Sequence, residues 1–148
     1  MRAGVIAALA TILTAALLRL LLGVPLPVEL VSDRFLPFIP VELFVGMLGI
    51  FGGPILSKQL AFYSSFLGLL ATGALIGLLS SRLERRRLAI LAGGALGLWL
   101  VALAALWPAL ASNYRGLPPG QATLVTAAGL LVIAAVFVVS LAVAERRL

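Results

Sequence analysis

The chain has 148 residues, 63% hydrophobic and 11% charged, with 15 glycines and a mean hydropathy of +1.22. A water-soluble domain carries about 25% charged and roughly 45–50% apolar residues, so the surplus apolar surface here calls for a bilayer as solvent. The absence of cysteine and histidine excludes disulfides, the usual zinc sites, iron–sulfur clusters, bis-histidine haem and every nucleophile activated by histidine. The carboxylates Glu29, Asp33, Glu42, Glu84 and Glu145 are too scattered for an oxygen-ligand cage. No intrinsic cofactor and no catalytic set are expected. The formal charge of +6 comes almost wholly from arginine. Arginine over lysine, with abundant Ala, Leu and Gly, is the usage of a GC-rich bacterial coding sequence. The basic residues stand at the ends of apolar runs, where they set membrane orientation, and nucleic acid is not an expected partner.

Hydropathy predicts an all-α integral membrane protein, one membrane domain over residues 1–148. Four runs, at about 3–23, 56–80, 88–111 and 122–144, reach the ~20 residues that a helix needs to cross hydrocarbon. The first run follows Arg2 directly, as in a signal peptide. It is long enough to span, however, and no Ala-x-Ala-like cleavage site follows a short apolar core. Arg19 falls about one turn from its far end. Its stem is expected to lie along lipid with the guanidinium at the headgroups; the sharper alternative is an ion pair with Glu29, Asp33 or Glu42 that pins the following segment to the first span.

Residues 24–55 are apolar yet punctuated by prolines, which end helices or open them at the first position. This predicts short interfacial or re-entrant helices forming a platform on the outer face. After Pro40, the run Val41-Glu42-Leu43-Phe44-Val45-Gly46-Met47-Leu48-Gly49-Ile50-Phe51 allows roughly 17 Å of helix, too short to cross. Gly52-Gly53-Pro54 then restarts the chain, with Gly53 as N-cap and Pro54 at the first helical position. Phe35, Phe38, Phe44 and Phe51, with Asp33, Arg34, Glu42 and Lys58, are the candidate contacts for partner or membrane interface.

The second and third spans contain Gly73-xxx-Gly77 and Gly93-xxx-Gly97. Such small-xxx-small pairs let helix backbones approach closely, and both lie near one connecting loop, so a tight antiparallel hairpin touching at these glycines is expected. That loop, Ser81-Arg82-Leu83-Glu84-Arg85-Arg86-Arg87, is the densest basic run, and short basic loops stay in the cytoplasm. An even number of spans then leaves both termini inside the bacterial cytoplasmic membrane, with Arg2, Arg146 and Arg147, while Arg34, Lys58 and Arg115 fall outside. The outer loop of residues 112–120 reads as a turn from its Pro-Pro-Gly, with Trp107 and Tyr114 at the depth of an aromatic belt. Ser64, Ser65, Thr72, Thr126 and Ser140 are expected to bond their own helix carbonyls. No ionisable residue falls near the middle of a span, which argues against ion-coupled transport.

The order of features resembles a known membrane region: an arginine near the end of the first span, then Gly23-Val24-Pro25-Leu26-Pro27-Val28-Glu29-Leu30-Val31-Ser32-Asp33-Arg34-Phe35-Leu36-Pro37 and Ile39-Pro40-Val41-Glu42-Leu43-Phe44, then Lys58 opening a Gly-rich second span. It is similar, over roughly residues 10–80, to the N-terminal multispanning part of bacterial sulfite-oxidase-type molybdopterin-dependent oxidoreductases. The catalytic domain of that family, and the cysteine that ligates its molybdenum, are missing here, so no catalytic residue carries over. The resemblance implies a stand-alone membrane subunit, or a truncated anchor, beside a catalytic partner.

The expected function is accordingly non-catalytic: a multispanning subunit whose partners are the lipid bilayer and a protein, in one form a redox enzyme on the outer face, docked through residues 24–55. The alternatives are an accessory or assembly subunit of a larger respiratory or photosynthetic complex and a small oligomeric transporter. Nothing in the sequence specifies a quinone.

Overall fold

In the computed structural model, which describes residues 1–80 and 87–147, all regular structure is helical. The elements are α1 (Arg2–Leu22), α2 (Pro27–Phe35), a 3₁₀ turn (Leu36–Phe38), α3 (Val41–Ile50), α4 (Pro54–Ser80), α5 (Arg87–Leu106), a second 3₁₀ turn (Trp107–Ala111) and α6 (Pro119–Arg147). Four helical segments are long and apolar enough to cross a membrane: α1, α4, α5 with its 3₁₀ extension, and α6. Prolines open α2, α4 and α6, where a missing N–H costs nothing because the first helical N–H groups have no intrahelical acceptor. The Ser57 N–H bonds the Gly53 carbonyl (3.0 Å), which makes Gly53 the start of α4 as its sequence predicts.

α1 and α6 form the central pair, with α4 against α1 on one flank and α5 against α6 on the other. One apolar cluster joins Ala3 and Ala7 of α1 to Leu141 and Ala144 of α6, flanked by Ile76, Leu91 and Phe137. Residues from near both chain ends thus share one end of the bundle, here the terminal end. The other cluster, at the opposite platform end, packs Leu30 of α2 on Leu106, Ala109 and Leu110.

One expectation is corrected. The spans bearing Gly73, Gly77, Gly93 and Gly97 do not form a glycine hairpin. Gly73 and Gly77 face α1, where a Cβ on Gly4 would stand 2.0 Å from the Gly73 carbonyl oxygen and a Cβ on Gly77 would stand 2.7 Å from the Gly4 Cα. α1 supplies its own small pair, Gly4-xxx-Ala8, and that complementary surface takes the place expected for the third span. α5 instead turns Leu91, Trp99 and Leu106 inward: Leu91 joins the terminal cluster, Leu106 the platform cluster, and the Trp99 indole N–H donates to the Ala127 carbonyl (2.9 Å). Among the described residues, nothing lies within 4 Å of where a Cβ on Gly93 or Gly97 would stand.

The third span covers Leu88–Ala111 as expected, with its α-helical part ending at Leu106 and a 3₁₀ turn completing it. Pro108 is the reason: it has no N–H, and its ring clashes with the carbonyl four residues back, so the chain tightens into a 3₁₀ turn.

Candidate functional site

The platform end is built around the C-terminus of α1. Gly23 ends that helix in the left-handed conformation (φ 69°), its N–H bonding the Arg19 carbonyl (3.0 Å). The last carbonyls of a helix lack intrahelical donors, and the loop before α6 supplies them. The Asn113 amide donates to the Leu22 carbonyl (3.1 Å), the Tyr114 N–H to the Gly23 carbonyl (3.1 Å) and the Arg115 guanidinium to the Leu20 carbonyl (2.9 Å). The Asn113 side-chain oxygen in turn accepts the Arg115 N–H (2.8 Å). Cationic side chains at a helix C-terminus also complement its dipole.

Arg19 projects from this end into an ion pair with Glu29, and its guanidinium carbon lies 3.9 Å from the centroid of the Tyr114 ring. The Glu29 oxygen that takes the guanidinium also accepts the Leu26 N–H (2.8 Å) at the start of α2. A single carboxylate therefore caps α2, meets its N-terminal dipole and ties it to α1. Of the two readings of Arg19, the ion pair is the one the structure adopts. Val24, 1% exposed, follows the glycine turn and fills the notch left by Gly129 on α6, at 3.1 Å from where a Cβ would stand.

α2 then lies over the end of α5. Leu30 is fully buried there, and the Arg34 Nε–H donates to the Ala105 carbonyl (3.1 Å). Pro108, three residues beyond Ala105, has no N–H with which to close a 3₁₀ bond onto that carbonyl; Arg34 answers an acceptor exposed by the proline break. The guanidinium of Arg34 also lies 5.2 Å from the Phe38 ring.

Beyond Pro40 the packing ends. No residue of α3 is buried, and no buried residue of α4 precedes Gly73. Phe35, Phe38 and Phe51 are exposed and Phe44 is half-buried. Asp33, Glu42 and Lys58 are exposed, and among the described residues Arg19–Glu29 is the one salt bridge. Thus α2 is latched to the bundle, whereas α3 and the first half of α4 present apolar surface that the described residues leave largely uncovered.

Sequence reading had Arg19, Glu29 and Arg34 among its candidates but missed the roles of Asn113, Tyr114 and Arg115. The available signal was Gly23, an end-of-helix residue by type, which leaves carbonyls needing donors. Ser64 and Ser65 do bond the Ala61 and Phe62 carbonyls (3.0 and 2.7 Å). Thr126 departs from expectation: its hydroxyl is buried without a hydrogen-bond partner, so it makes no bond to its own helix. At the terminal end the Ser80 hydroxyl donates to Glu145 (2.8 Å); the basic loop assigned to this end lies mostly outside the described residues. Among the described residues no group of three or more acidic side chains, histidines or cysteines converges as a metal site would.

No protein family, curated protein or solved structure matches this chain.

Proposed function

We propose that this protein is a non-catalytic membrane subunit that holds a protein partner, such as a redox enzyme, at the outer face through residues 24–55. The observation that carries the reading is the contrast between α2 and α3. α2 is fastened by Glu29, Leu30 and Arg34, so the platform has a defined place on the bundle. α3, apolar apart from Glu42, buries none of its residues, and apolar surface of that kind is covered by lipid or by another protein. The basic loop and the basic C-terminus support an orientation with the opposite end in the cytoplasm.

A photo-crosslinking residue at Leu43 or Phe44, activated in native membranes, tests this. The expected product is a discrete protein adduct at both positions, with the adduct lost when the platform is unlatched by Glu29→Gln. Adducts to lipid alone at both positions overturn the reading.

The open face of α5 favours a second reading, that of an accessory subunit filling a gap among the spans of a larger respiratory or photosynthetic complex. Gly93 and Gly97 are small residues of the kind at which another helix approaches closely, and none of the described residues lies against them. Crosslinks to protein at Gly93 and to lipid at Phe44 select that role over docking.

A further inference from the structure

Four basic residues belong to the platform half of the chain: Arg19, Arg34, Lys58 and Arg115. Three are turned onto the chain itself, Arg19 by Glu29 and Tyr114, Arg34 by the Ala105 carbonyl and Phe38, and Arg115 by the Leu20 carbonyl. Lys58 is exposed and, alone of the four, has no hydrogen bond, ion pair or ring contact among the described residues.

Its depth is set by α4. Ser80 ends that helix, and the ~22 residues from Lys58 to Ser80 span roughly 33 Å at 1.5 Å each. The hydrocarbon layer is ~30 Å thick. With Ser80 at one boundary, the Lys58 stem therefore leaves the helix at the other and its ammonium reaches the phosphate layer. Just below lie Phe62, Tyr63 and Phe66, with ring centroids 6.0 Å apart for Phe62–Tyr63 and 4.6 Å for Phe62–Phe66. Lys58, Gln59, Phe62 and Tyr63 line a shallow hollow of about 240 Å³.

The serine hydroxyls around it are already spent. Ser57, Ser64 and Ser65 donate to the carbonyls of Gly53, Ala61 and Phe62, so the free polar groups lining the hollow are the ammonium, the Gln59 amide and the Tyr63 hydroxyl, set against aromatic surface. A cation over an apolar cleft at headgroup depth matches a phosphate above an acyl chain. We propose that this face of α4 binds an anionic phospholipid of the outer leaflet. Its phosphate takes the Lys58 ammonium and the Gln59 amide, and its acyl chain runs along Phe62, Tyr63 and Phe66. A zwitterionic lipid carries its own cation next to the phosphate and gains less from Lys58. One lysine near an anionic surface contributes about a fivefold preference, the equivalent of ~1 kcal/mol. The site does not depend on residues 24–55 docking a partner.

The test uses the full chain in phosphatidylcholine nanodiscs doped with photoactivatable phosphatidylglycerol or phosphatidylcholine, both carrying the same diazirine acyl chain, with adducts mapped by peptide mass spectrometry. Residues 58–66 are expected to be labelled about fivefold more by the phosphatidylglycerol probe. Lys58→Gln removes that preference and Lys58→Arg keeps it, while labelling near Arg146 and Arg147 is the same in all three proteins and reports an intact fold. Because Lys58 is exposed and makes no hydrogen bond, ion pair or ring contact among the described residues, its replacement leaves the packing alone. Equal labelling of residues 58–66 by the two probes, or a preference that survives Lys58→Gln, overturns the proposal.

Discussion

The Arg19 guanidinium and the Leu26 N–H share one acceptor, the Oε2 of Glu29, so the residue that caps α2 is also the residue that ties α2 to α1. Both side chains are part-exposed, at 29% and 27%, and solvent weakens the pair relative to a buried one. Glu29→Gln is expected to lower the free energy of opening α2 by on the order of 1 kcal/mol. Hydrogen exchange of the α2 amides reads this directly, as about fivefold faster exchange with α6 unchanged. Exchange that does not change would mean that Leu30 and Arg34 hold α2 without the ion pair.

Gly23 is required twice, by its positive φ of 69° and by its neighbours. A Cβ there would stand 2.8 Å from the Arg115 nitrogen and 2.9 Å from the Asn113 side-chain oxygen. Gly23→Ala is therefore expected to destabilise the platform end by about 2 kcal/mol or more, measurable by reversible unfolding in mixed detergent. A loss no larger than that of an exposed glycine elsewhere in the chain would remove Gly23 as the keystone of this cap.

Leucine substitutions at two glycines of similar sequence context should part company. Gly73→Leu drives a side chain into Ala8 and the Gly4 backbone, 2.7 and 2.8 Å from the site of its Cβ, and should separate α1 from α4. Gly97→Leu meets open space and is expected to leave thermal stability in detergent unchanged. Equal effects would contradict the placement of α4 against α1.

Thr126 is 0% exposed and its hydroxyl has no partner. An unmade buried hydrogen bond costs about 1–3 kcal/mol, and valine has nearly the same shape. Thr126→Val is expected to preserve stability or to raise it by about 1 kcal/mol. Clear destabilisation would reveal a bond of that hydroxyl to a bound water or lipid.

The chain has no cysteine, so single-cysteine variants report orientation without a background. Ser32→Cys should react with an impermeant maleimide in intact cells and Arg147→Cys only after permeabilisation. The reverse pattern would invert the topology proposed from the arginines.

Much of the architecture was legible in composition alone, because each span has to satisfy its own backbone hydrogen bonds in lipid and therefore has to be a helix of a certain length. The proline at 54 marked a helix start, since a residue without N–H is harmless there and harmful inside, whereas Pro119, read as part of a turn, opens α6. Even the choice of Glu29 for Arg19 stood among the expectations, because only three carboxylates fell on the same side of the spans.

What one-dimensional patterns left open was which spans touch. Glycines permit close approach on whichever helix carries them, and every lipid-facing surface is as apolar as every buried one, so neighbours along the chain have no built-in advantage over distant ones. The match of Gly4 and Ala8 with Gly73 and Gly77 decided that α1, not α5, packs on α4. The 3₁₀ break at Pro108 likewise acquired its partner only in three dimensions, when Arg34, far away in sequence, reached the Ala105 carbonyl. Length, hydropathy and proline positions determined a helical protein with four membrane-spanning segments and a platform of short helices between the first two; the order α4, α1, α6, α5 and the latch at the platform end were decided by steric fit and by carbonyls that needed donors.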